Sequence, residues 1–253
     1  MSKTKISDRE LFFLLHADLP RQGPGSEAST RRALTQLSLP RQPSVVDIGC
    51  GPGMQTLHLA SALPQAAIKA IDLQPAFLKA LASRLAENTS PARAEVSTVL
   101  GDMAQMPFKD DSFDLIWCEG AAYIMGVECA LAAWRPLLRP RAYLAFTEVT
   151  WLQAPHRVTH EWWAARYPDI RAREDWLPVI EQAGYEVVDH FPLPEADWWH
   201  HYYTPLEARI EQLSPAYPDH PVLAEAKSEI DLYRRHSQDY SYTFYVLRNV
   251  GCA

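Results

Sequence analysis

The chain has 253 residues, of which 47% are hydrophobic and 22% charged, ordinary proportions for a folded globular protein and too apolar for a largely disordered one. Its 24 basic and 31 acidic residues leave a net charge of −7, which speaks against a sequence-independent grip on nucleic-acid phosphates. No apolar run approaches the length of about 18 that a spanning helix needs, and the run Leu11 to Leu15 is short for a secretory leader, so a cytoplasmic protein is expected.

In chain order, residues 1–42 read as an N-terminal extension. Asp8 is placed to cap a helix through about Ala17, and Ser26 or Ser29 a second helix to Leu37, with Pro40 and Pro43 closing the segment. Strands and helices then alternate. Strands are expected at 44–49, 67–72, 96–100, 113–118 and 142–149, and helices at 54–63, 75–87 and 128–138. Such alternation points to an α/β fold with right-handed crossovers and a mostly parallel sheet. After residue 150 the rhythm breaks. Helical stretches at 162–167 and 175–183, a strand at 186–190, a proline-interrupted helical region at 195–239 and a last strand at 242–247 complete the reading.

The cysteines Cys50, Cys118, Cys129 and Cys252 form no C-x-x-C pair, so reduced thiols are expected and structural zinc is not. The adjacent His200 and His201 point to different faces of any regular element, and no carboxylate motif accompanies them, so no metal is expected there.

The densest local signal is Val45-Val46-Asp47-Ile48-Gly49-Cys50-Gly51-Pro52-Gly53. A buried strand runs into three alternate glycines and then a helix. Glycine permits positive φ and close approach of a ligand to the backbone, and the helix start offers free N–H groups. The spacing differs from the G-x-G-x-x-G dinucleotide fingerprint, and Pro52 removes a donor, which disfavours a nicotinamide dehydrogenase and leaves a ligand with an amino-acid end well suited. Asp72 ends the next strand, where an acid can accept both hydroxyls of a ribose. A tight turn and a helix-capping acid are the bland alternative; the coincidence of strand, glycines and acid weighs against it.

These residues resemble class I S-adenosylmethionine-dependent methyltransferases. Residues 46–53 look like the family's first motif. Gly101-Asp102-Met103 and Met106-Pro107-Phe108 resemble the adenine-lining segment, Phe113 to Trp117 the fourth strand, and Leu137-Leu138-Arg139-Pro140 the turn into the fifth. Glycines commonly follow that proline; here Arg141-Ala142 stands instead, which should alter a turn. The resemblance implies a Rossmann-like seven-stranded sheet with helices on both faces and the last strand antiparallel, and S-adenosylmethionine as cofactor. It implies that Asp47 with Gly49, Cys50, Gly51 and Gly53 holds the methionine part, Asp72 the ribose, and Leu73, Asp102 and Met103 the adenine, while Glu119 and Gly120 border the sulfonium. It also resembles the branch that contains quinone-type C-methyltransferases.

For the acceptor, Glu119, Tyr123 and Glu148 lie at or just past strand ends, where open α/β sheets bind ligands, and could serve as base or acceptor contact. Trp151, Tyr202 and Tyr203 are candidate aromatic walls, with Trp162, Trp163, Tyr167, Trp198 and Trp199 clustered near them. Arg21, Gln22 and Gly23 could fold over the cofactor. The expected organisation is a single domain: cap 1–42, cofactor-binding core 43–150, and lid insertions 151–184 and 193–240. The expected function is methyl transfer to a small-molecule acceptor in a lidded aromatic and acidic pocket; a non-catalytic cofactor-binding partner protein is the alternative. The abundance of aromatics leaves a homodimer open.

Overall fold

In a computed structural model the described residues are 6–17, 19–88 and 93–250. Cys252 lies outside them. The strands are β1 (Ser44–Ile48), β2 (Ala67–Asp72), β3 (Glu95–Leu100), β4 (Phe113–Cys118), β5 (Leu138–Trp151), β6 (Arg171–Ala172), β7 (Tyr185–Pro192) and β8 (Tyr240–Asn249). The helices are α1 (Asp8–His16), α2 (Glu27–Leu34), α3 (Met54–Ala62), α4 (Pro75–Glu87), α5 (Val127–Trp134), α6 (Arg157–Ala164), α7 (Trp176–Gln182), α8 (Glu195–Trp198), α9 (Thr204–Leu213) and α10 (Pro221–His236).

Seven strands form one path in the order β3-β2-β1-β4-β5-β8-β7, and the two-residue β6 pairs with β5 beside it. Neighbours from β3 to β5 are parallel; β8 is antiparallel to both β5 and β7. This is the Rossmann-like mixed sheet the sequence implied, with its last strand inserted antiparallel. Side chains on a strand alternate between faces. Val46, Ile48, Ile116, Cys118, Leu144 and Phe146 therefore pack on one face under α5 and α7. Val45, Leu115, Trp117, Tyr143 and Ala145 pack on the other, with Ala33 of α2 and Leu59 of α3. Burying each large side chain contributes about 1.5–3 kcal/mol.

Several boundaries shift for local reasons. Ser7, rather than Asp8, caps α1: its Oγ accepts from Glu10 N at 3.2 Å while the Glu10 carboxylate takes Ser7 N at 2.9 Å. Ser26 caps α2, whose last helical residue is Leu34. Pro136 turns the end of α5 into a short 3-10 turn, so β5 begins at Leu138. Arg141 takes φ +65° inside β5, which places the altered turn within the strand.

A separate apolar cluster sits over the sheet edge where β5 ends and β8 begins. Leu11 and Leu15 of α1 meet Trp198, Tyr203, Leu206, Ile230 and Tyr233 from α8 to α10, above Val149 and Tyr240. A π-helical turn at Trp199–Tyr203 joins α8 to α9. No helix among the described residues is long and apolar enough to cross a membrane.

Candidate functional site

The C-terminal ends of β1, β2 and β4 open into a cavity of about 990 Å³ roofed by α1, α6 and α10. Its floor is the glycine loop. Gly49 has φ +66°, and a Cβ there would stand 2.6 Å from the Ala121 Cβ. Gly51 has φ +52°, and the nearest atom to an added Cβ is 3.7 Å away, so a side chain there would fill cavity space. Gly49, Cys50 and Gly51 line the cavity; Gly53 begins α3 behind it, against Leu81. Burial keeps the Cys50 thiol protonated.

Asp72 accepts Gly51 N and Gln74 N at 2.8 Å each, so one carboxylate shapes the loop and the start of α4 while facing the cavity. Asp47 is fully buried beneath the loop. Thr56 Oγ1 donates to its Oδ2, Oδ1 has no partner, and burial, reinforced by the Glu119 charge, pushes its pKa up to about 8. Leu73, Asp102 and Met103 line one wall. Asp102 takes Ala104 N at 2.8 Å, and Met103 is held by Trp134 Nε1 on its carbonyl at 3.0 Å. Exposed apolar side chains, Phe12, Leu73, Tyr123 and Ile124, gather on the cavity lining.

The segment before α2 straps this end. Arg84 of α4 donates to the carbonyls of Leu19, Pro20 and Pro52, tying the strap to the glycine loop. Arg21, Gln22 and Gly23 all line the cavity. Arg21 is buried and ion-paired with Glu119, which also accepts Thr30 Oγ1 at 3.2 Å and Trp117 Nε1 at 2.8 Å. Glu119 thus anchors the strap and α2 to β4. Gly120 beside it donates its N–H to Thr147 Oγ1 at 2.8 Å.

The far end is aromatic. Tyr123 meets Tyr167 edge-to-face at 5.8 Å, and Tyr202, Trp163 and Tyr242 complete the wall. Tyr202 reaches it from the π-helical turn, whereas Tyr203 turns away and donates to Glu229 Oε1 at 3.0 Å. Trp151 lies off the cavity, stacked on His160 at 6.2 Å. Glu148 is fully buried in β5 behind Tyr167, its carboxyl oxygens without a well-formed hydrogen bond, and burial pushes its pKa up to about 8. Of the candidate residues, Asp47, Gly53, Glu148, Trp151 and Tyr203 stand outside the lining.

Three charged lining residues escaped the sequence reading: Arg166 in the turn after α6, and Glu225 and Glu229 on α10. The signal was present for Glu229, which shares the apolar stripe Val222, Ala226, Ile230, Tyr233 at helical spacing. An acid on a buried stripe needs a partner or a purpose. His156, His236 and Asp239 also bring donor atoms within 4.8 Å of one another, away from the His200–His201 pair. There Asp239 already accepts His156 N, Gln153 Nε2 and Thr159 Oγ1 at 2.7–3.1 Å.

A family model described as a methyltransferase domain matches residues 45–141, which span β1 to the start of β5. Over these residues the chain is similar to a methyltransferase domain. The chain is 27% identical over 166 residues to the O-methyltransferase cnsE of Penicillium expansum, covering 63% of this chain and 58% of that one. It is 30% identical over 151 residues to the malonyl-[acyl-carrier protein] O-methyltransferase of Pseudescherichia vulneris, covering 59% and 53%. The aligned part is therefore a little over half the length of these relatives. A methyltransferase from Geobacter sulfurreducens, solved with S-adenosyl-L-homocysteine, has the same fold over 97% of this chain and 99% of its own, at a TM-score of 0.76 and 21% identity. That likeness extends beyond the methyltransferase domain to the strap and the roofing helices.

Proposed function

We propose that the chain transfers a methyl group from S-adenosylmethionine to a small-molecule acceptor by in-line displacement. The observation that carries this reading is a continuous cavity of about 990 Å³, with the glycine loop and Asp72 at one end and an aromatic chamber at the other. The residues present fit the cofactor. Gly51 leaves an open cradle, Asp47 keeps one buried oxygen unpartnered, Asp72 has lone pairs left for hydroxyl donors, and Leu73 with Met103 offers an apolar slot. When bound, S-adenosylmethionine supplies an electrophilic methyl group on a sulfonium.

The chain's own contribution is orientation and exclusion of water. Holding two reactants in line lowers the barrier by removing their freedom of approach. The strap closes the cofactor end through Arg21 and Arg84, and α6 and α10 close the other. Glu119, bonded to three donors, acts as an anchor for the cofactor end. Tyr123 stands between the two ends, in the field of both Glu148 and Glu229, and is the candidate for contact with the acceptor. Glu148 acts behind it, through Tyr167.

The test is transfer of label from methyl-labelled S-adenosylmethionine to a panel of small metabolites. Label is expected in an acceptor, with turnover reduced by Tyr123→Phe. Label that stays on a tightly bound cofactor across the panel would support the binding-only alternative.

A further inference from the structure

The charges that line the cavity are not evenly satisfied. At the cofactor end, Asp72 and Asp102 hold backbone N–H groups, and Glu119 holds Arg21. At the far end, Arg166 binds Glu225 at 2.8 Å and lies over the Trp162 ring at 4.1 Å. Both lining arginines are therefore ion-paired, although Arg21 Nη1, at the cofactor end, keeps no hydrogen-bond partner. His16, the lining histidine, is held neutral by burial, with Nδ1 on the Phe12 carbonyl at 2.8 Å. Glu229 differs: among the described residues it has one hydrogen bond, from Tyr203, and no ion pair.

A second carboxyl flanks the same chamber from the sheet. Glu148 is fully buried behind Tyr167 with no well-formed hydrogen bond to either oxygen. The chamber beside Glu229 is walled by Tyr123, Tyr167, Trp163, Tyr202 and Tyr242. A carboxylate withdrawn from water gains most from a positive counter-charge. Aromatic faces attract the same kind of ligand, through the ring quadrupole. A ligand carboxylate there would face Glu229, with the Glu148 carboxyl buried behind the wall, and no cation free of an ion pair among the described lining residues.

We propose that this chamber binds an alkylammonium group beside Glu229, so that the acceptor is a small amine that enters protonated, gives its proton to the Glu229 carboxylate, and then takes the methyl group on the freed nitrogen lone pair as the sulfonium C–S bond breaks. This deepens the methyltransferase reading and rests on it for the word acceptor; the binding site itself does not. Burial raises Glu229 to about 7 and Glu148 to about 8, so near neutral pH each carries its full charge only when a cation stands beside it.

Calorimetry on the full chain separates the two ideas, with and without S-adenosyl-L-homocysteine. Three probes of matched shape are used: N,N-dimethylethanolamine, the uncharged 3-methylbutan-1-ol and the anionic 3-methylbutanoate. The amine is expected to bind at least about tenfold more tightly than the alcohol, and the carboxylate not at all. Glu229→Gln is expected to remove that preference while leaving alcohol and S-adenosyl-L-homocysteine affinity unchanged, the latter also showing that the variant is folded. Equal binding of amine and alcohol, no amine binding up to tens of millimolar, or an unchanged preference in Glu229→Gln would overturn the proposal. Amine binding without any S-adenosyl-L-homocysteine binding would sustain the chamber and sink the methyltransferase reading.

Discussion

At the scale of single residues, the site is organised by acids in unequal circumstances. Glu119 is buried and paired, so removing its partner is costly: Arg21→Met should destabilise the chain by about 3–5 kcal/mol, seen as a lowered urea midpoint. Adding Glu119→Gln to that variant should restore part of the loss, because the uncompensated charge goes with it. Asp47, Glu148 and Glu229 lie the other way, with burial raising each to between about 7 and 8. Their unfolded values are about 4, so the folded state holds protons that the unfolded state releases. Their stabilising effect is complete below about pH 4 and is lost as pH rises through 7 to 8. Glu148→Gln removes one such group, so its melting temperature relative to the parent chain should climb between pH 6 and pH 9. A constant difference would show that Glu148 is not titrating in that range. The position of Glu119 just past β4 was legible in the sequence, whereas Glu148, expected at the end of a strand closing at 149, lies inside β5, which runs on to Trp151. Which of them finds a cation was not legible, because Arg21 lies 98 residues away along the chain and meets Glu119 only in the folded protein.

At the scale of elements, the junctions decide how the roof sits on the sheet. Asp239, just before β8, is fully buried and gathers the stretch between β5 and α6. It takes His156 N at 3.0 Å and Thr159 Oγ1 at 2.7 Å, and its carbonyl takes Leu152 N at 2.9 Å. Although burial alone would raise its pKa, the donors from Thr159, Gln153 and His156 together hold it at about 2. This stability is present above about pH 4 and lost as pH falls toward 2. Asp239→Asn should cost about 2–4 kcal/mol at pH 7 and accelerate amide exchange across residues 152–164, while exchange in β1 and β4 stays slow. The capping box of α1 is a smaller device; Ser7→Ala should cost about 1 kcal/mol. Strands with β-branched runs and helices with proline at the first turn were readable from local pattern. The C-terminal ends of α2 and α5 were not: α2 stops at Leu34 although the apolar spacing runs on to Leu37, and a 3-10 turn at Pro136 ends α5.

For the whole molecule, a mostly parallel sheet was legible in the strand–helix alternation, and its antiparallel last strand in the family resemblance, while the order of the strands became visible only in the fold. The glycine loop, Asp72 and Asp102–Met103 were legible because they depend on residue type at fixed spacing along the chain. The aromatic chamber was legible only in composition. Tyr202 lines it and Tyr203 does not, because the π-helical turn sends adjacent tyrosines in different directions. Trp151 is likewise drawn away, onto His160. The account rests on one cofactor seated between the glycine loop and Asp72. Calorimetric titration of S-adenosylmethionine into the parent chain and into Asp72→Ala tests this most directly. One-to-one binding is expected, weakened about 10- to 100-fold in Asp72→Ala and unchanged in Glu229→Gln. No binding by the parent chain, or equal affinity in Asp72→Ala, would contradict it.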